Sequence, residues 1–462
     1  MSIMKIIYKI QYSIASLLLV ACLLSCDKSL DKPVPDTSIP LEKVQPGDLP
    51  LLLRGAYRPL GIYYQPYPVW DIYSDDITSI QGSSPAQFNP RSYDDCNPNV
   101  QDGFGNGRLY NSAYTAIGNA NFIINYIRTK GLTDYNSILG EALTIRAYNY
   151  YRLAEAYGGV ILTLDLETDI SVIRRDKNTE EEVYAHITKD LTDAIPLLGD
   201  FKSADNVSKP AAQLLLARTY LHLGKNKEAY DLSEEVIKSG KNKLSEGDFG
   251  DNFRYASKSS EMLWRLSEPI TGYERGGLYT MYSPPPPFRG AGIGLTWVDP
   301  TLAQSYEPSD IRASLLLKRH NNTIGEAVTY LLKFSTDTLQ PSSNAFIVYP
   351  IARISEAYLI SAEAAARQGQ VVVTRYNELR KARGSSQKLA TAFANTTAFL
   401  AEIEAERRRE LVGEGRRWQD MKRFGKAIPY LQSKGQDATR LFLPFNSTEL
   451  LRNIKLSQNK GY

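Results

Sequence analysis

Ser208–Gly240 reads SKPAAQLLLARTYLHLGKNKEAYDLSEEVIKSG, and the spacing of this stretch decides the fold. Ser208 stands where a helix N-cap is expected. Apolar residues then recur every three or four positions from about Lys209 to His222, and Gly224 breaks the run. A second helix is predicted from about Lys227 to Ser239, ended by Gly240. The short break between them predicts an antiparallel pair.

Ala217, Tyr220, Ala229 and Val236 fall at tetratricopeptide-repeat spacing, where a small residue lets two helices approach closely. The same period extends outward in both directions. Leu143, Ala147, Tyr150, Tyr151, Ala154 and Tyr157 share one face of Glu141–Tyr157, and Gly158-Gly159 stops it. In Thr179–Leu198, Val183, Ile187, Leu191 and Ala194 are in register, and Thr179 with Glu182 has capping-box spacing. Arg353–Arg367 is Ala-rich, Gly369 interrupts it, and Tyr376–Ala382 resumes; further helices span roughly Ala398–Gly413 and Arg417–Phe424. Between Ser239 and Pro350 the helical period fades, with Pro284–Pro287 and Gly290–Gly294 marking loops. The fold class is therefore mainly α: a tetratricopeptide-like helix-pair (alpha-alpha superhelix) scaffold with a loop-rich insertion at about 241–350. Stacked repeats bury one another's faces and carry no chemistry by themselves.

The first residues read as an address. Lys5 and Lys9 precede an apolar run, Ile14–Leu24, that is too short to span a bilayer. It ends in Leu23-Leu24-Ser25-Cys26, which resembles a lipobox, with cleavage before Cys26 and a diacylglycerol on its thiol. Several buried methylenes, each contributing about 0.8 kcal/mol, make a stable anchor. The alternative is an ordinary secretory signal with a chance cysteine. Asp27–Pro50 holds five prolines and many charges, as an extended tether would. The expected division is a signal peptide at 1–25, a lipid-anchored tether at 26–50, an N-terminal helical-repeat region at 51–240 and a C-terminal domain at 241–462.

Composition narrows the function. The 462 residues carry a formal charge of +3, and loss of Lys5 and Lys9 with the leader leaves +1. No basic stripe argues for nucleic acid. Of three cysteines, Cys22 leaves with the leader and Cys26 is acylated, so Cys96 has no partner for an internal disulfide. No Cys/His zinc spacing and no EF-hand spacing occurs, so no metal or cofactor is expected. Asp75-Asp76, two adjacent carboxylates, are expected to be solvated. No nucleophile elbow, P-loop, dinucleotide fingerprint or H-E-x-x-H motif is present.

Several stretches together resemble the SusD/RagB family. Glu141-Ala142-Leu143, Arg146-Ala147-Tyr148, Tyr150-Tyr151 and Tyr157-Gly158-Gly159 look like its characteristic helix and turn. Arg353, Glu356, Leu359 and Ala362-Glu363-Ala364 are similar to its R-x-x-E-x-x-L helix. Glu406–Leu411, Glu414–Trp418, Asp420-Met421 and Arg423 resemble its most specific motif, and Gln458–Tyr462 its chain ending, with Lys460 in place of the usual Pro. The alternating acids and arginines of Glu406–Gly425 are expected to form a structural ion-pair network, with Trp418 in the core.

The resemblance implies a surface-exposed, lipid-anchored outer-membrane protein. It would capture an oligosaccharide, or a peptide, and deliver it to a SusC-like TonB-dependent transporter, breaking no bond. Aromatic faces stack on pyranose rings while polar groups bond hydroxyls. Most of the 30 Tyr fill half-buried positions, so loop aromatics are the ligand candidates: Trp70 with Tyr67 and Tyr73 (Tyr63 and Tyr64 nearby), and Trp297 with Tyr273 and Tyr282 (Tyr279 and Phe288 nearby). Replacing Trp297 by Ala is expected to weaken binding without unfolding. Two other readings stand beside this one: a helical glycosidase, needing two carboxylates about 5–10 Å apart, and a tetratricopeptide adaptor holding a protein segment in its groove.

Overall fold

The computed structural model describes residues 43–61, 69–80, 89–102, 106–165, 174–245, 249–254, 260–269, 281–288, 292, 294–334 and 346–462. Two compact units divide the chain after Asp48. In the first, Pro46–Asp48 forms a 3-10 turn in which Asp48 Oδ2 accepts the Gln45 amide at 2.9 Å. Everything below concerns the second unit, Leu49–Tyr462.

Its longer helices are α1 Leu49–Tyr57, α2 Asn106–Lys130, α3 Asn136–Tyr157, α4 Glu180–Ala194, α5 Lys209–His222, α6 Asn226–Lys238, α7 Ile354–Arg367, α8 Thr374–Ala382, α9 Thr396–Leu411, α10 Arg417–Arg423 and α11 Ala427–Ser433. They pack in series: α1 on α2, α2 on α3, α3 on α4, α4 on α5, α5 on α6, α6 on α7, and α7 on α8 and α9. The superhelix therefore continues across the insertion, because α6 meets α7 directly. Ser361 donates to Glu234 Oε1 at 2.8 Å and Arg375 pairs with the other oxygen of Glu234 at 2.8 Å, fixing that junction.

The expected capping box is present: Glu182 N donates to Thr179 Oγ1 and Thr179 N to Glu182 Oε2. Ser208 occupies the N-cap of α5, but its hydroxyl makes no capping bond and is buried without a partner among the described residues. Gly158 ends α3 at φ 69°, and a Cβ on Gly159 would stand 2.2 Å from the Asn178 carbonyl oxygen. No larger residue fits that crossing.

Helix α2 was not singled out from sequence. Ala113, Ala116, Ile117, Ala120, Ile123, Ile124 and Ile127 form its buried face, a regular stripe weakened by intervening Asn, Gly and Thr. The insertion also differs from the expected loops. Strands β1 Ile77–Ser79 and β3 Thr296–Val298 pair antiparallel, as do β2 Met262–Pro269 with β6 Phe346–Arg353 and β4 Leu317–Asn321 with β5 Ala327–Leu331. The β2–β6 partners lie some eighty residues apart, and such pairing leaves little local trace in sequence.

The charged stretch around α9 is a network, and it is buried. Glu410 meets Arg353, Arg383 and Arg312 at 2.6, 2.8 and 2.9 Å; Glu414 meets Arg353 at 2.6 Å; Arg407 pairs with Asp420 at 2.8 Å. These are not the solvent-exposed pairs whose worth is about 0–1 kcal/mol. Trp418 is fully buried, as expected. Asp76 is buried and Asp75 half-buried, and both are paired rather than free in solvent: Arg417 pairs with Asp75 at 2.5 Å and Arg408 with Asp76 at 2.8 Å, tying the segment after Trp70 to the C-terminal helices. Cys96 is fully buried at φ 52°, its Sγ 3.6 Å from the Tyr73 carbonyl oxygen, and burial pushes its thiol up to about 12.

Candidate functional site

An open cleft of about 660 Å³ lies where α1 and the following 3-10 turn (Arg58–Leu60) cross α2. Gly55, Arg58 and Pro59 form one wall. The other is a polar stripe of α2, Arg108, Asn111, Ser112, Thr115 and Asn119, on the side of the helix away from its Ala/Ile face. From position 108 to 119 the stripe runs about 16 Å at 1.5 Å rise per residue. Asn119 Nδ2 donates to the Gly55 carbonyl at 2.9 Å and holds the two walls in register.

Arg58 also lines a second cleft, of about 370 Å³, with Arg54, Tyr57, Gly61, Asp205, Asn206, Arg265 and Leu266. Among the described residues the two clefts together are lined by four guanidinium groups and one carboxylate. Arg265 is committed to Asp205 at 2.8 Å, whereas Arg54 and Arg58 form no ion pair among the described residues. The Tyr57 hydroxyl donates to Glu141 at 2.6 Å and accepts the Val207 amide at 2.8 Å. None of these groove residues was picked out from sequence. The available signal was the polar 3–4 spacing along α2, and the crossing with α1 is a tertiary event.

The aromatics named from sequence are placed differently from the loop positions expected. Trp70 sits in the short helix Val69–Ile72 and Trp297 in β3, each 8% exposed. Tyr73 is fully covered; it meets Trp70 and Trp418 edge-on at 5.9 and 4.7 Å, and its hydroxyl donates to the Arg440 carbonyl at 2.8 Å. The Tyr282 hydroxyl donates to Asp71 Oδ2 at 2.9 Å in a buried site. No sugar ring reaches the faces of Tyr73 or Tyr282 as they stand. Tyr63, Tyr64, Tyr67, Tyr273, Tyr279 and Cys26 lie outside the described residues.

Asp71 is an unusual buried acid. It accepts the amides of Gly413 and Gly415 at 3.2 and 3.1 Å as well as the Tyr282 hydroxyl. Burial and the neighbouring Asp76 push its carboxyl up to about 8, against the pull of those donors. Among the described residues no group of three or more His, Cys, Asp or Glu is placed to hold a metal ion, and no helix is long and apolar enough to cross a membrane.

Two family models match the chain: one described as starch-binding, associating with outer membrane, over residues 68–221, and one for the SusD family over residues 318–462. The chain belongs to the SusD/RagB family. A SusD-like protein of Formosa agariphila is 24% identical over 407 residues, 76% of this chain and 78% of that protein. In fold, a SusD superfamily protein from Bacteroides vulgatus matches with a TM-score of 0.77 at 22% identity, covering 90% of this chain and 99% of that one. A laminarin-binding SusD-like protein matches with a TM-score of 0.74, also at 22% identity, covering 90% and 99%.

The stretches that carry the SusD/RagB resemblance prove to be structural. Arg353 and Glu410 meet in the core, and Glu356 pairs with Arg218 of α5. At the chain ending, Asn459 Nδ2 donates to the carbonyls of Tyr157 and Leu443 at 3.0 and 2.8 Å. These motifs join the N- and C-terminal parts of the SusD-like fold.

Proposed function

We propose that this SusD/RagB protein is a lipid-anchored receptor on the outer-membrane surface that captures a saccharide and hands it to a SusC-like TonB-dependent transporter. One observation carries the reading: the starch-binding, outer-membrane-associating family model and the SusD family model match the two ends of one continuous superhelix. The laminarin-binding protein of the same fold supports a glycan over a peptide. Cys26, ending the lipobox-like run, is the proposed point of acylation, and residues 26–50 are the proposed tether.

Capture needs binding without bond cleavage. Trp70 and Trp297, each 8% exposed, are with Tyr67 and Tyr273 the proposed stacking residues. The test is a purified chain of residues 27–462 titrated calorimetrically against starch, laminarin, pectic and sulfated polysaccharides, with a peptide pool alongside. Saturable binding of a saccharide recovered intact is the expected result. Shortened products would make the protein a glycosidase, and binding of peptides alone would replace the ligand class.

A further inference from the structure

We infer that a small recess beside Trp70 receives the exocyclic hydroxymethyl group of a hexopyranose, with Glu155 and Arg416 as its specificity-determining residues. The inference rests on the saccharide-capture reading above and names a sugar class for it.

Val69, Trp70, Leu109, Tyr148, Glu155 and Arg416 line a cavity of about 30 Å³, partly open among the described residues. It lies between the short helix Val69–Ile72, α2, α3 and the turn before α10. Two of its charged groups are left unfinished by the fold. Glu155 Oε1 is buried and accepts no hydrogen bond among the described residues. The buried guanidinium of Arg416 donates none there either, and its acid partner is that same oxygen at 3.7 Å. The gap is too long for a direct hydrogen bond. One small group set between them would reach both.

The chemistry of that group follows from the pair. A cation would suit Glu155 and be repelled by Arg416, and an anion the reverse. A hydroxyl donates to the first and accepts from the second with one oxygen. The other charges at the recess leave this balance alone. Glu414 is taken by Lys333 and Arg353 at 2.5 and 2.6 Å, and the Arg152 guanidinium lies over the Tyr148 ring at 5.7 Å.

Size narrows the choice further. One water needs about 10–15 Å³, so the recess takes about two, or the carbon and oxygen of a single hydroxymethyl group. Trp70 and Tyr148 offer apolar surface to the methylene, and the pyranose ring itself is too large to enter. A pentose has no such carbon. A uronate would set a carboxylate against Glu155. A 6-deoxy sugar would set a methyl between two unpaired charges, which is how a polar site rejects an analogue lacking the hydroxyl.

The experiment titrates residues 27–462 calorimetrically with five probes. Cellohexaose, laminarihexaose and maltohexaose carry the hydroxymethyl group; xylohexaose and hexagalacturonate carry hydrogen or a carboxylate in its place. The tightest binder should be one of the first three, at least about tenfold above the other two. Saturation-transfer NMR on the wild-type complex should show its strongest transfer at the H6 protons of one ring. Glu155→Gln removes the charged acceptor and Val69→Ile narrows the recess with both charges kept. Each should weaken the tightest binder about tenfold, with circular dichroism and melting temperature unchanged, and either variant serves if the other loses its fold. A tightest binder without hydroxymethyl groups, in this set or in the broader panel, overturns the inference and leaves saccharide capture standing. So do H6 protons among the least saturated, or affinity indifferent to both variants, as for a recess that holds only water. Binding of no saccharide in this set or in the broader panel overturns both readings.

Discussion

Arg353 and Glu410 meet at 2.6 Å with their side chains 1% and 0% exposed, joining the last residue of β6 to the charged helix α9. Glu410 also serves Arg383 and Arg312, so one carboxylate compensates three buried guanidinium groups. Removing one partner of a buried pair leaves charge without compensation and costs roughly 3–5 kcal/mol. Glu410→Ala should therefore lower stability by about that much, measured by urea unfolding monitored on the tryptophans. A loss under about 1 kcal/mol would show that Glu406 and Glu414 take over its role.

Acid should unfold the protein over a defined window. Burial alone would raise Glu356, Glu406 and Asp420, but Arg218, Arg312 and Arg407 respectively outweigh it and hold each carboxyl at about 2. A depressed folded-state value gives stability that is complete above the ordinary carboxylate range and is lost as pH falls toward 2. The melting temperature should fall steeply between about pH 4.5 and 2. A flat profile there would mean that these pairs are open in solution.

Asp71 works in the opposite sense. Raised to about 8, it keeps a proton in the fold that the unfolded chain releases near its ordinary value. Stability from this group is complete below that value and declines as pH climbs to about 8. Asp71→Asn should flatten the neutral side of the profile and leave the acid limb intact. An unaltered slope in the variant would place its origin elsewhere.

Trp297 now carries a different expectation from the one its sequence neighbourhood gave. Strand β3 places it opposite Thr78 with 8% of its surface exposed, so truncation opens a cavity. Trp297→Ala should cost about 3–5 kcal/mol in chemical denaturation. Trp297→Phe keeps most of the packing and is the better probe of ligand contact. A melting temperature unchanged in the alanine variant would contradict the observed packing.

Anchoring at Cys26 is checked by phase separation. The full chain expressed in a lipoprotein-processing bacterium should enter the detergent phase of Triton X-114, and Cys26→Ala should move it to the aqueous phase. Retention of the variant in the detergent phase would remove the acyl anchor from the account.

Much of the scaffold was readable because its information is local. The Thr179–Glu182 box, the helix pair after Ser208 and the core position of Trp418 follow from spacing within a few turns. The strands were not readable, because Met262 finds Arg353 across the whole insertion. Asp75 and Asp76 looked solvated because their partners, Arg417 and Arg408, come from the other end of the chain. The groove was hidden for the same reason: Arg58 and Arg108 become neighbours only when α1 crosses α2.

Cys96 gives the protein a built-in stopwatch. In a chain of residues 27–462 it is the sole sulfhydryl available to an alkylating reagent. Its seat under the Tyr73 carbonyl shields it until the surrounding turns part. Pulse labelling with iodoacetamide, read by mass spectrometry, therefore times how often this corner of the native protein breathes, with no engineered dye or tag.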